Sequence, residues 1–368
     1  MAAIERIELS MVDLPAREPA AGSEGFSSQE TPILRLFDSD GAVGTGFACT
    51  QGTGGSSVVR LLHDHLAPML VGRDADMVED VWRTLLRHTR TTGPGAVTAL
   101  ALAAVDTALW DLRCRRAELP LYVLAGGAQE KVPVFAGAGG ACRLATEELV
   151  ELALEAREHG LKGVRVEIGG RTAAEDVARV TALRTALGPG CELMLEAGGR
   201  LSRDQALRRV RALEGLDPAW LGEPLAADDV AGHARLALAT ALPLAVGAGL
   251  HSLGQMRDYL VPGAAAVVRV DAVRIGGITP WLKVAHLAEA FGLVVAPHRL
   301  SELHVSLAAA VPNGAWVEQL PQLEEVALGG GAIQDGHALP PEEPGLGIEW
   351  NWQAVAARLV GGPVLVVD

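Results

Sequence analysis

The chain has 368 residues, 49% of them hydrophobic and 21% charged, with a formal charge of −14. That is the composition of a globular protein with ample core for one large domain or two ordinary ones. The acidic balance excludes a nucleic-acid partner, which would need clustered Lys and Arg. No apolar run reaches the roughly 18 residues of a membrane span, and Met1–Leu9 carries charge where a leader would be apolar. Cys49, Cys114, Cys142 and Cys191 form no CxxC pair. A reduced, cytoplasmic protein without a membrane partner is expected.

Ile4–Leu14 and Thr31–Phe37 alternate apolar and polar residues, and DSDGAVGTG (Asp38–Gly46) supplies turn chemistry. An antiparallel meander follows from that pattern. Ala16–Gln29, rich in Ala, Gly, Ser and Glu, reads as a mobile loop. Helical periodicity marks Ser56–Leu66, Asp76–Arg87 and Ala96–Arg116, and Pro120 stops the last.

From about Val132 the texture changes. Eight short apolar runs (VPVFAG, GVRVEIG, ELMLEAG, AWLGEP, LPLAVGAG, AVVRVDAV, LVVAPH and GAWVEQ) alternate with helical stretches. Strands buried on both faces read this way, and the repeat predicts a parallel (β/α)-barrel. A doubly wound sheet is the other arrangement, but no GxGxxG opens it. The Gly- and Pro-rich tail ends in VLVV (Val364–Val367), which is expected to return to the N-terminal region.

Barrel enzymes carry their chemistry at the carboxyl ends of the strands, and the ionisable residues fall there. Arg165 and Glu167 share one face of the second strand. Glu196 ends the third, Asp271 the sixth, His298 the seventh and Glu318 the eighth. Internal ion pairs, such as Arg165 with Glu167 or Glu196, are the alternative use of these charges.

These stretches, with AVDTALWDLRCRRAELPLYVLAGG (Ala104–Gly127) and GGITPWLKVAHLAEAFGLVVAPH (Gly276–His298), closely resemble the enolase superfamily in its mandelate racemase and muconate lactonising branch. The resemblance covers nearly the whole chain. It implies an α/β fold: a modified TIM (β/α)-barrel over residues 129–328, capped by an α+β domain of residues 1–128 that segment 329–368 rejoins. Relatives are commonly homo-oligomers, and a small, anionic substrate or ligand is implied.

In that family a proton next to a carboxylate is removed and magnesium stabilises the enediolate. Carried over position by position, the resemblance shows departures. The KxK motif is Arg165-Val166-Glu167. The first metal ligand is Glu196, and the Asn two residues on is Gly198. The second ligand position is Gly222, leaving Glu223, which strand alternation turns away from the interior. The third is Ala248. No cofactor and no metal are therefore expected, a displaced site of Glu167, Glu196 and Glu223 being the alternative. Asp271 and His298 match the family's dyad, and Glu318 matches an acid that hydrogen-bonds the substrate carboxylate. Arg165 is the cation for an anionic substrate. A carboxyl at Glu167 close to Glu196 is expected to be pushed up in pKa, suiting it to acid or base work opposite His298. The reading is a metal-independent isomerase (racemase, epimerase or cycloisomerase) or lyase (dehydratase). The alternative is a non-catalytic relative that binds a ligand or partner.

Overall fold

Ile4–Pro15 and Ser28–Phe47 fold back on one another because their apolar side chains alternate. In the computed structural model, which describes residues 3–16, 28–137 and 144–368, β1 (Ile4–Pro15), β2 (Ser28–Asp38) and β3 (Val43–Phe47) form the expected antiparallel meander. The loop expected over Ala16–Gln29 lies, for residues 17–27, outside the described residues; Ser28 and Gln29 already belong to β2. The last strand, Leu365–Val367, pairs antiparallel with β1 and completes the cap sheet.

Helices α1 (Gly55–Leu61), α2 (Val78–His88) and α3 (Ala96–Arg116) follow. Ser56–Leu66 is not one regular helix, since Leu62–Leu66 winds as a π-turn. The Ala- and Leu-rich α3 is buried along nearly its whole length. It packs onto β3 so closely that a Cβ on Gly44 or Gly46 would meet the carbonyl oxygens of Ala108 and Ala104 at 2.2 and 2.1 Å. Only glycine permits that approach.

Asp106, Trp110 and Asp111, from the AVDTALWD stretch, tie this helix to everything around it. Asp111 accepts from Thr45 N at 2.9 Å in the cap and from Leu346 N at 3.1 Å in the C-terminal segment. Asp106 accepts from Thr279 N at 2.8 Å, and Trp110 Nε1 donates to Thr279 Oγ1 at 3.0 Å. One helix thus binds cap sheet, tail and barrel.

Among the described residues, eight parallel strands make the barrel. They are β4 (Val132–Gly137), β5 (Gly163–Glu167), β6 (Glu192–Glu196), β7 (Trp220–Gly222), β8 (Leu244–Val246), β9 (Val267–Val268), β10 (Val294–Val295) and β11 (Val317–Gln319). Each run read from the sequence holds one strand. The ring closes where β11 pairs β4 (Val317 with Val134) and Val295 bridges Gly314. All five residues of β5 are buried, as two-sided burial demands. Capping boxes at Thr172 and Ser202 start the helices Ala173–Leu187 and Arg203–Leu213 after β5 and β6. Among the described residues no helix is long and apolar enough to cross a membrane.

Burial pushes the Asp106 carboxyl up to about 7. The folded protein therefore keeps a proton that the unfolded chain releases near 3.8. The native state binds more protons across that window, so stability falls as pH rises through it. The margin by which Asp106→Asn outmelts the wild type should be larger at pH 8 than at pH 5. Melting curves that stay parallel at both values would refute this.

Candidate active site

At the carboxyl ends of the strands, beneath the cap, lies a cavity of about 400 Å³, within the size range of small-molecule sites. Arg165, Glu167, Glu196, Asp271 and His298 all line it, as does Glu223, while Glu318 does not. Residues 49–51 of the cap complete the wall. Gln51, with its amide oxygen toward the barrel, accepts from Arg299 Nη1 at 2.5 Å.

The floor is built on Glu318. Its side chain has no solvent exposure, and it pairs with Arg165 Nε through one oxygen and Arg269 Nη2 through the other, the latter at 3.2 Å. The second oxygen also accepts from Arg299 N at 3.2 Å. Burial alone would push this carboxyl up, but the Arg165 and Arg269 charges outweigh it and hold the group well below the usual carboxylate range. Glu318 is thus neither an exposed acid nor a substrate-facing one. It is the counter-ion of two buried arginines. The same contact gives Arg165 a partner on the eighth strand that the sequence did not suggest.

The dyad expected between Asp271 and His298 does not form. The Asp271 carboxylate turns to the backbone, accepting from Val273 N at 2.9 Å and Arg274 N at 3.4 Å to cap the short helix Ala272–Ile275. His298 Nδ1 instead lies 2.6 Å from Arg269 Nη2 and 3.2 Å from Glu318. Nδ1 thus faces a guanidinium, which only donates, at the shorter distance and a carboxylate, which only accepts, at the longer one. The closer Arg269 contact makes Nδ1 the acceptor and puts the proton of the neutral ring on Nε2. Burial holds His298 well below the ordinary imidazole value, and the Arg269 charge adds to that.

Arg269 is the residue that sequence reasoning missed. It is fully buried, with its guanidinium 5.7 Å from the Phe135 ring and 5.8 Å from Trp220. The signal was present in AVVRVDAV, where one cation interrupts an apolar strand two residues before Asp271.

Glu223 corrects a further expectation. Its φ of 42° breaks the strand alternation, and the side chain lines the cavity instead of pointing away. Gly247 N and Ala248 N donate to its Oε1 at 2.7 and 2.9 Å. Burial first, then the Glu196 charge, pushes this carboxyl up to about 7. The carboxyl that Glu196 raises is thus Glu223.

Glu196 Oε1 accepts from Gly198 N at 2.9 Å, whereas Oε2 is buried without a hydrogen-bond partner. A Cβ on Gly222 would come within 2.4 Å of that oxygen. The long Glu196 side chain therefore fills the space that a side chain at 222 would take. Two adjacent carboxyls with an unpartnered buried oxygen are a hard-oxygen donor set. They fit magnesium, which often takes one or two protein carboxylates and completes six ligands from water and substrate. Among the described residues no group of three or more His, Cys, Asp or Glu is placed to hold a metal ion.

The barrel, the cap made from both ends of the chain and the strand-end cavity define an enzyme of the enolase superfamily. Residues 148–354 match the family described as enolase C-terminal domain-like. Residues 4–126 match the mandelate racemase / muconate lactonizing enzyme N-terminal domain, and the chain belongs to that branch of the superfamily. It is 31% identical to the L-talarate/galactarate dehydratase of Salmonella typhimurium, over 95% of this chain and 90% of that protein. It is 33% identical to the 3,6-anhydro-alpha-L-galactonate cycloisomerase of Streptomyces coelicolor, over 97% and 100%. The L-talarate dehydratase of Polaromonas sp. JS666, solved with magnesium and L-glucarate, superposes with a TM-score of 0.92 at 34% identity, covering 100% of this chain and 99% of that one.

These relatives overturn two expectations. A fold neighbour at 34% identity holds magnesium, so the departures at 222 and 248 do not establish a site without a cofactor. The relatives are catalysts, which removes the support for a non-catalytic scaffold.

Removing the charge of Glu318 leaves Arg165 and Arg269 buried without their counter-ion. Glu318→Gln should lose about 3–5 kcal/mol of stability in urea unfolding. A loss below about 1 kcal/mol would show that other groups balance the two cations.

Proposed function

We propose that the protein is a magnesium-assisted lyase or isomerase that moves a proton next to the carboxylate of a sugar acid. The observation that carries this is the anchoring of His298. Its Nδ1 is held by Arg269 at the cavity floor, which leaves Nε2–H as the ring's proton donor. Glu167, on the same cavity, is the proton acceptor, and reaction proceeds between the two. The dehydratase and cycloisomerase relatives support this class of chemistry, and the glucarate in the Polaromonas relative supports the substrate class.

Glu196 and Glu223 are the residues to hold magnesium. When bound, the ion supplies the positive charge that makes a carbon next to a carboxylate acidic. Four carboxylates (Glu167, Glu196, Glu223 and Asp271) and four arginines (Arg165, Arg200, Arg274 and Arg299) line the cavity. A divalent cation tips this balanced set positive and favours an anionic substrate. Arg165, fixed by Glu318, contributes its field from the floor. Asp271 acts through the backbone turn after β9, which it caps.

Proton removal is read directly by deuterium uptake from D2O at the carbon beside the carboxylate, with L-glucarate and galactarate as first substrates. Glu167→Gln and His298→Asn should each slow exchange or turnover about 10²- to 10⁴-fold. Unchanged rates in both variants would sink the assignment. Magnesium should raise the melting temperature of the wild type, and Glu196→Gln should abolish that rise. A rise that persists in the variant would place the ion elsewhere.

A further inference from the structure

The loop after β6 brings to the cavity an arginine whose ion pair is with Glu167 rather than with the eighth-strand acid. Gly198 and Gly199, with φ of 59° and 76°, turn the chain through the left-handed region open to glycine and bring Arg200 to the wall. Its stem lies along the bare backbone of Gly169, where a Cβ would come within 3.3 Å of Arg200 Cγ. Its Nε and Nη2 are buried and, among the described residues, have no hydrogen-bond partner. The carboxylate of Glu167 is 3.8 Å from Nη2, which is attraction without a hydrogen bond. Desolvated cationic donors without acceptors are costly in a folded protein. Two of them side by side on one guanidinium match the two oxygens of a carboxylate.

We propose that Arg200 anchors a carboxylate of the substrate, and that Glu167 positions its guanidinium. This rests on the reading of the cavity as a sugar-acid site and adds an orientation to it. Bound at Arg200, a carboxylate has its neighbouring carbon beside Glu167, so the residue that takes the proton and the residue that holds the acid are adjacent. The negative charge on β5 and the positive charge on the next loop then work as one unit. Arg165, the arginine of β5 itself, pairs with Glu318 at the floor.

The test is calorimetric titration of the full chain with L-glucarate and, as generic dicarboxylates, malonate and tartrate, with and without magnesium. Saturable binding is expected in the wild type. Arg200→Ala should weaken it about ten- to a hundred-fold, with KM rising more than kcat falls. Arg200→Lys, which keeps a charge and most of the stem, should recover part of the loss. Arg208→Ala, on the exposed face of the following helix, should bind like the wild type. The proposal is overturned if none of the three acids binds the wild type, or if Arg200→Ala binds them equally well. If Arg200→Ala weakens binding but the wild type shows no deuterium exchange, the anchor stands and the catalytic reading fails. If exchange is present and Arg200→Ala binds normally, the reverse holds.

Discussion

A single buried carboxylate organises the catalytic end of this barrel. Glu318, on the last strand, is the counter-ion of Arg165 from β5 and of Arg269 from the turn after β9, and its oxygen faces the His298 ring. Burying one charge is expensive, and burying three is tolerable only when each is paired and hydrogen-bonded. The pairing joins the second, sixth, seventh and eighth strands across the barrel interior. The position of the histidine beside the cavity depends on it.

The carboxyls on the other side of the cavity are arranged by a different constraint, that of space. A longer acid at 196 and no side chain at 222 are complementary changes, because one volume cannot hold both. The turn at Glu223 then brings a second carboxyl to the same wall through backbone hydrogen bonds from Gly247 and Ala248. Counting residues at fixed alignment positions treats each exchange as a loss. In three dimensions they leave two carboxyls, Glu196 and Glu223, on one wall of the cavity.

What the sequence made legible divides along the same physical line. Each barrel strand was readable because two-sided burial leaves a continuous apolar run, and α3 because its Ala and Leu run is unbroken from Ala96 to Arg116. The strand-end positions of Arg165, Glu167, Glu196 and His298 followed from the strands. Their partners did not. Asp271 turned to its own helix because two backbone N–H groups lie within reach, a local choice invisible to spacing. Arg269 was hidden by the apolar run that surrounds it. Glu223 was misdirected because alternation fails once φ becomes positive, and nothing in WLGEP announces that. Pairings made across a barrel depend on side-chain length and direction, which periodicity does not encode.

The pairing of β1 with Leu365–Val367 has a consequence for how the protein is made. β1 finds one of its neighbours about 350 residues further along the chain, and loop closure over such a distance is slow. The barrel can close from local β–α units long before the cap sheet is complete. During that interval the outer edge of β1 is an unpaired strand edge, open to neighbouring chains. The cap that shelters the chemistry therefore rests on a pairing that local folding alone cannot make.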